Sequence, residues 1–148
     1  MTLTVFEENG LHIALNVTDE GDVRLLHFGA QPFDAAHIDG ERQEQWFRLV
    51  ELQVTGEDVD DHHGVKHTGT LPGKRLRYVQ THDRRNAQGR LVEIELSDAA
   101  LGLVVTTHWQ FYDGVPVIRA WTTVENRGVG AVGLEYVSSF ALTGLAKE

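Results

Sequence analysis

From Gly102 to Asn126 apolar and polar residues alternate on either side of Asp113-Gly114. Before that dipeptide Leu103, Val105, Thr107, Trp109 and Phe111 fall on one side of an extended strand. After it Pro116, Ile118, Ala120, Thr122 and Val124 share one side of a second strand, and Val117, Arg119 and Trp121 the other. A period of two in β-branched and aromatic residues specifies strands, because successive side chains of extended backbone point to opposite faces. Asp-Gly between them predicts a hairpin closed by a type I′ turn, whose two central residues need positive φ. A third apolar run, Val132 to Leu142, follows Asn126-Arg127-Gly128. The three strands are expected to form the centre of one sheet.

The rest of the chain reads as further strands. Leu3 to Glu7 and Leu11 to Val17 flank Asn9-Gly10, another two-residue hairpin signal. Val23 to Phe28 follows Asp19-Glu20-Gly21, and Phe47 to Val54 is a further strand. Leu76 to Thr81 and Leu91 to Leu96 are strands joined by a polar loop, Asp83 to Gly89. In the second of them Val92, Ile94 and Leu96 alternate with Glu93, Glu95 and Ser97, which predicts one wet face. Two stretches have no period: Ala30 to Gln45, a loop of about 15 residues, and Gly56 to Gly73. No helix beyond a turn is expected. Roughly eight or nine strands with turns at regular spacing predict an all-β fold, an antiparallel β-sandwich.

With 148 residues the chain makes one domain or part of a larger one. Its net charge of −9 argues against nucleic acid or an anionic membrane as partner, since both would be repelled. The chain has no cysteine, which excludes a disulfide framework and a cysteine nucleophile and fits a cytoplasmic location. Neither a signal peptide nor a transmembrane helix is legible near Met1.

Chemistry-bearing residues concentrate in Asp58-Val59-Asp60-Asp61-His62-His63-Gly64-Val65-Lys66-His67. Carboxylates and imidazoles together suit a divalent cation, with His62, His63 and His67 as ligands. The spacing argues against it: Gly64 and Val65 do not support a helix that would align His63 with His67, and adjacent histidines of an extended segment point apart. No cofactor is expected. A polar loop that contacts sugar or an interface suits the same residues better. Trp46 closes the first long loop and is a candidate stacking surface, whereas Trp109 shares a face with Leu103, Val105 and Phe111 and reads as core. Ser138-Ser139 lack the strand-to-helix elbow of a serine hydrolase and read as partners of neighbouring backbone. Arg84-Arg85 reads as part of a solvated loop.

The series Val5-Phe6-Glu7-Glu8-Asn9-Gly10-Leu11-His12-Ile13 and Asp22-Val23-Arg24-Leu25-Leu26-His27-Phe28-Gly29 resembles the opening of bacterial α-galactosidases of glycoside hydrolase family 36. So do Leu101-Gly102-Leu103, Phe111-Tyr112-Asp113-Gly114-Val115-Pro116-Val117-Ile118-Arg119, Thr123-Val124-Glu125-Asn126-Arg127-Gly128 and Val132-Gly133-Leu134-Glu135-Tyr136-Val137-Ser138-Ser139-Phe140. The resemblance is in an order of strands and turns rather than a catalytic signature. It implies the first part of an N-terminal β-supersandwich, a galactose-mutarotase-like fold, that in the family precedes a catalytic (β/α)₈ barrel absent from residues 1–148. The parent activity is retaining hydrolysis of terminal α-galactosides by two barrel aspartates. By this resemblance the chain alone is inactive, a scaffold and oligomer interface that lends a loop to the galactose pocket.

Where the family often has Gly-Asp-Phe-Arg, this sequence has Gly56-Glu57-Asp58-Val59-Asp60-Asp61-His62-His63. The implied sugar contacts are therefore regional: Asp58, Asp60, Asp61, His62, His63 and Trp46, with galactoside as the ligand. The alternatives are a free-standing carbohydrate-binding module using the same residues and a small metal-dependent β-barrel enzyme built on the histidines. The apolar strand ending at Leu142 is followed by few further residues, and an uncovered strand invites pairing. Self-association into a dimer or higher oligomer through exposed sheet strands is expected, or a chain that continues into covering strands. Tyr112, Arg119 and Trp121, on the second face of the hairpin, are candidates for that contact.

Overall fold

A computed structural model describes residues 2–37, 48–57 and 69–141. The described residues form nine strands, one short helix and one 3₁₀ turn, Ala35–His37. The strands are β1 (Thr2–Glu8), β2 (Leu11–Val17), β3 (Val23–Gly29), β4 (Leu52–Val54), β5 (Arg77–Asn86), β6 (Gly89–Asp98), β7 (Leu103–Phe111), β8 (Ile118–Asn126) and β9 (Leu134–Val137), and the helix is α1 (Leu71–Arg75). They make three antiparallel sheets: β1-β2-β3, β4-β9 and β5-β6-β7-β8. None of the three closes into a barrel.

Apolar alternation builds the core. Phe6, Ile13, Leu15, Val23 and Leu25 point inward from the three-stranded sheet, and Val92, Ile94, Leu96, Leu103, Val105, Trp109 and Phe111 from the four-stranded one. Trp109 is fully buried and meets Phe6 edge-on at 5.9 Å, so the two sheets face each other across a shared core. Phe140 extends that contact, 5.2 Å from the ring of Phe28 and 5.9 Å from Trp109. Leu49, Val50, Leu52 and Val54 complete the core from the segment around β4.

The hairpin tips lock the sheets together. Asn9 and Gly10, at φ 51° and 80°, form the predicted tight turn between β1 and β2. From there the Asn9 amide donates to the Tyr112 carbonyl at 2.8 Å and accepts from the Gly114 N–H at 3.3 Å. Arg85 joins Glu8 to Asp113, and Arg90 donates to the Glu7 carbonyl at 3.0 Å.

Several expectations need correction. The β7–β8 connection spans residues 112–117, and of its Asp-Gly pair only Gly114 has positive φ, 78°. A bond from Val115 N–H to the Tyr112 carbonyl places Gly114 at the third position of a type II-like turn, for which one positive φ suffices. Asp83 to Asn86 is strand rather than loop, because Asp83 and Arg85 find partners in Arg90 and Glu8 that make extended backbone favourable. Arg84 likewise sits on a strand, 2.7 Å from Glu93. The strand foreseen from Phe47 shortens to β4, preceded by one isolated bridge from Arg48 to Arg24. The irregular stretch Gly56–Gly73 ends in the start of α1, where Thr70 caps the helix by accepting from Gly73 N–H and Pro72 sits in the first turn.

The third apolar run is the largest departure. Only Leu134–Val137 is strand, and it pairs with β4 rather than with β8. The hairpin is consequently not central: β8 is the edge of its sheet among the described residues. On the way from β8 to β4 the chain passes close to its neighbours at two glycines: a Cβ would stand 2.6 Å from the Leu101 carbonyl oxygen at Gly128 and 2.7 Å from Thr55 Oγ1 at Gly133. No helix among the described residues is long and apolar enough to cross a membrane.

Candidate functional site

The predicted contact residues Trp46, Asp58, Asp60, Asp61, His62 and His63, and the metal candidate His67, lie outside the described residues. What the structure does place is the frame on both sides of residues 58–68. Both ends are fastened to the segment around β4.

At the outgoing end, Gly56 at φ 86° turns the chain after β4, and Glu57 N–H donates to the Val54 carbonyl at 3.3 Å. Arg75 then holds the Glu57 carboxylate with two parallel bonds of 3.0 and 3.1 Å. The Gln53 amide donates to the Glu57 carbonyl at 2.8 Å. The Arg75 Nε also donates to Asp98 Oδ2 at 3.0 Å, and the Asp98 side chain is wholly buried. These carboxylates raise the guanidinium pKa, the Glu57 bonds most.

At the returning end, Gly69 N–H donates to Glu51 Oε2 at 3.2 Å, and the Thr70 hydroxyl donates to the Leu52 carbonyl at 2.5 Å. Glu51 is only 3% exposed. Burial pushes its carboxyl pKa up, against the pull of Arg48 and the Gly69 N–H. Gly73 packs so closely that a Cβ would stand 2.8 Å from Thr70 Oγ1 and 3.2 Å from Glu51 Oε2. The Glu51 backbone is fixed in turn by Ser138, whose hydroxyl accepts from Glu51 N–H at 2.9 Å and whose N–H donates to the Glu51 carbonyl at 2.8 Å. Ser138 thus serves neighbouring backbone, as its sequence setting suggested.

Beside Glu51 lies a basic cluster. Asp22 receives Arg24 at 2.9 Å, Arg77 at 2.8 Å and Arg48 at 3.5 Å. Burial and the nearby Arg24 lower the Arg48 pKa. The arrangement orients backbone and carboxylates. Among the described residues no group of three or more histidine, aspartate or glutamate side chains is spaced to hold a metal ion.

The outer face of the four-stranded sheet carries Glu93, which the alternation of β6 foresaw, among residues that it did not. His82, Glu93, His108 and Trp121 stand opposite one another across β5, β6, β7 and β8. His108 bonds Glu93 at 2.9 Å and Thr123 at 3.0 Å, and stacks on Trp121 at 4.8 Å. Arg119 lies 5.4 Å from the Trp121 ring.

The Glu51, Glu57, Thr70 and Arg75 frame was missed in the sequence. One signal was available: Glu51 is a lone carboxylate inside the apolar run Leu49-Val50-Glu51-Leu52, where only a paired group is tolerated.

Residues 21–144 match the profile of the glycosyl hydrolase family 36 N-terminal domain. The chain belongs to this family. Its fold is also that of solved members. A family 36 α-galactosidase, AgaA from Geobacillus stearothermophilus in complex with 1-deoxygalactonojirimycin, superposes with TM-score 0.55 at 17% identity, over 86% of this chain and 22% of that one. A second variant of the same enzyme, bound to raffinose, gives TM-score 0.54 at 18% identity, with 86% and 22% covered. The chain therefore spans about a fifth of the length of these enzymes. No curated protein sequence matches it significantly. The family 36 N-terminal domain and its all-β, antiparallel architecture agree with the resemblance drawn from the strand order.

Proposed function

We propose that this chain is a non-catalytic β-sandwich segment of an α-galactosidase. In this reading it is a scaffold that presents residues 58–68 toward a galactoside held by a catalytic barrel. The observation that carries the reading is the family 36 N-terminal match over residues 21–144, on a fold shared with AgaA. The double fastening of Glu57 and Gly69 supports the loop role, since contact residues on loops work only from a rigid base. Asp58, Asp60, Asp61, His62 and His63 lie between those two anchors in sequence.

Calorimetric titration of the purified chain with galactose, melibiose and raffinose tests the division of labour. A scaffold that contributes only part of a pocket gives no heat and no shift in melting temperature. Saturable binding of any of the three sugars would replace this reading with a free-standing carbohydrate-binding module.

A further inference from the structure

Among the described residues strand β8 leaves one edge open, and its sequence is matched to itself. Among the described residues β7 is its only neighbour in the sheet. Arg127 N–H donates to the Gly102 carbonyl at 2.8 Å, and Leu103 stands opposite Asn126. In an antiparallel ladder hydrogen-bonding residues alternate, so the odd-numbered residues of β8 bond β7. The N–H and C=O groups of Ile118, Ala120, Thr122, Val124 and Asn126 consequently point to the open edge. Such a row is a template for another strand.

We propose that β8 pairs antiparallel with β8 of a second copy about a two-fold axis at Thr122, joining two four-stranded sheets into one. The nine-residue strand Ile118–Asn126 has Thr122 at its midpoint, so this register overlaps both strands completely. It also brings the free groups of Ala120 opposite those of the partner's Val124, and those of Thr122 opposite the partner's Thr122. On the outer face Arg119 then meets the partner's Glu125, and Trp121 meets the partner's Thr123. The symmetry repeats both contacts, so the register of fullest overlap is also the one that matches opposite charges. On the inner face Ile118, Ala120 and Val124 pack against the core yet remain only partly buried. The partner strand covers their uncovered side. The Thr122 hydroxyl donates inward to the Ser138 carbonyl at 2.8 Å and does not obstruct the edge.

The pairing is independent of any sugar-related role and is read by mass alone. Light scattering of the chain at micromolar concentration is expected to give twice the monomer mass. Ala120→Pro removes an outward donor without touching a β7 bond and is expected to give a monomer with unchanged far-ultraviolet dichroism. Arg119→Glu and Glu125→Arg each set like charges opposite each other and weaken the dimer by about tenfold or more. Mixing those two variants restores opposite charges at both contacts and yields a heterodimer. A monomeric wild type overturns the proposal. A dimer that survives Ala120→Pro, or charge variants that fail to complement on mixing, overturns it as well, because the dimer would then use another surface or register.

Discussion

Arg75 grips Glu57 through two parallel hydrogen bonds while its Nε holds the buried Asp98, so one guanidinium ties the exit of β4 to the end of β6. Removing it as Arg75→Ala leaves the buried Asp98 without its cation, with only the Ala100 and Leu101 N–H groups on Oδ1 among the described residues, and is expected to destabilise the chain by about 3 kcal/mol. Arg75→Lys keeps the charge but loses the fork, with an expected loss of about 1–2 kcal/mol. Glu57→Gln leaves the Asp98 bond intact and should cost about 1 kcal/mol or less. Urea denaturation of the three variants gives the order, and equal losses would contradict it.

Glu51 gives the frame a pH dependence of known sign. Its carboxyl pKa is raised in the folded chain, chiefly by burial. The folded state therefore holds this proton more tightly than the unfolded one. The stability it supplies is full below the unfolded carboxyl value, about 4.3, and is lost as pH rises through the folded value. Glu51→Gln removes that loss while keeping an oxygen for the Gly69 N–H. The variant is expected to melt higher than the wild type at pH 8, with the gap closing toward pH 4. Calorimetry across that range checks it, and a gap that widens on acidification would show the sign to be wrong.

Trp109 separates packing from hydrogen bonding. Its ring is fully buried between Phe6 and Phe140, and its Nε1 has no hydrogen-bond partner among the described residues. Trp109→Phe deletes an unsatisfied donor along with part of the ring, and is expected to cost about 1–2 kcal/mol. Trp109→Ala opens a cavity and should cost about 3–5 kcal/mol. A Phe variant as damaging as the Ala variant would mean the indole N–H is satisfied.

Gly102 is required for two reasons at once. Its φ is 69°, and a Cβ would stand 2.6 Å from Gly128 Cα and 2.7 Å from Gly128 N. Both obstacles are backbone, so neither yields by side-chain rotation. Gly102→Ala is expected to lose about 2 kcal/mol or more, whereas Gly114→Ala, which meets nothing within 4 Å among the described residues, loses only the strain of positive φ, about 1 kcal/mol. Thermal melts of the two variants provide the comparison.

Strands were legible where alternation was strict, as in Leu103–Phe111, because period two leaves no other way to bury Trp109 and Val105 together. Pairing was less so. The run ending near Leu142 is apolar enough for a central strand, yet it crosses to β4, held there by the Glu51–Ser138 backbone pair. Nothing in local pattern encodes a contact across that many residues. The turn at Asp113-Gly114 misled because Asp-Gly also suits a type II-like turn in a longer connection. At the site, the order of residues 58–63 drew attention to their chemistry, while the groups that fasten them were hidden among apolar neighbours and in a five-residue helix.

The central proposal is that this family 36 N-terminal domain lends a loop to a galactoside site and leaves the chemistry to a catalytic barrel. Incubating the purified chain with 4-nitrophenyl α-D-galactoside and measuring released nitrophenolate tests it most directly. No release above buffer is predicted at any pH from acid to neutral. Turnover that co-purifies with the chain and disappears in a variant lacking Asp58, Asp60 and Asp61 would contradict it.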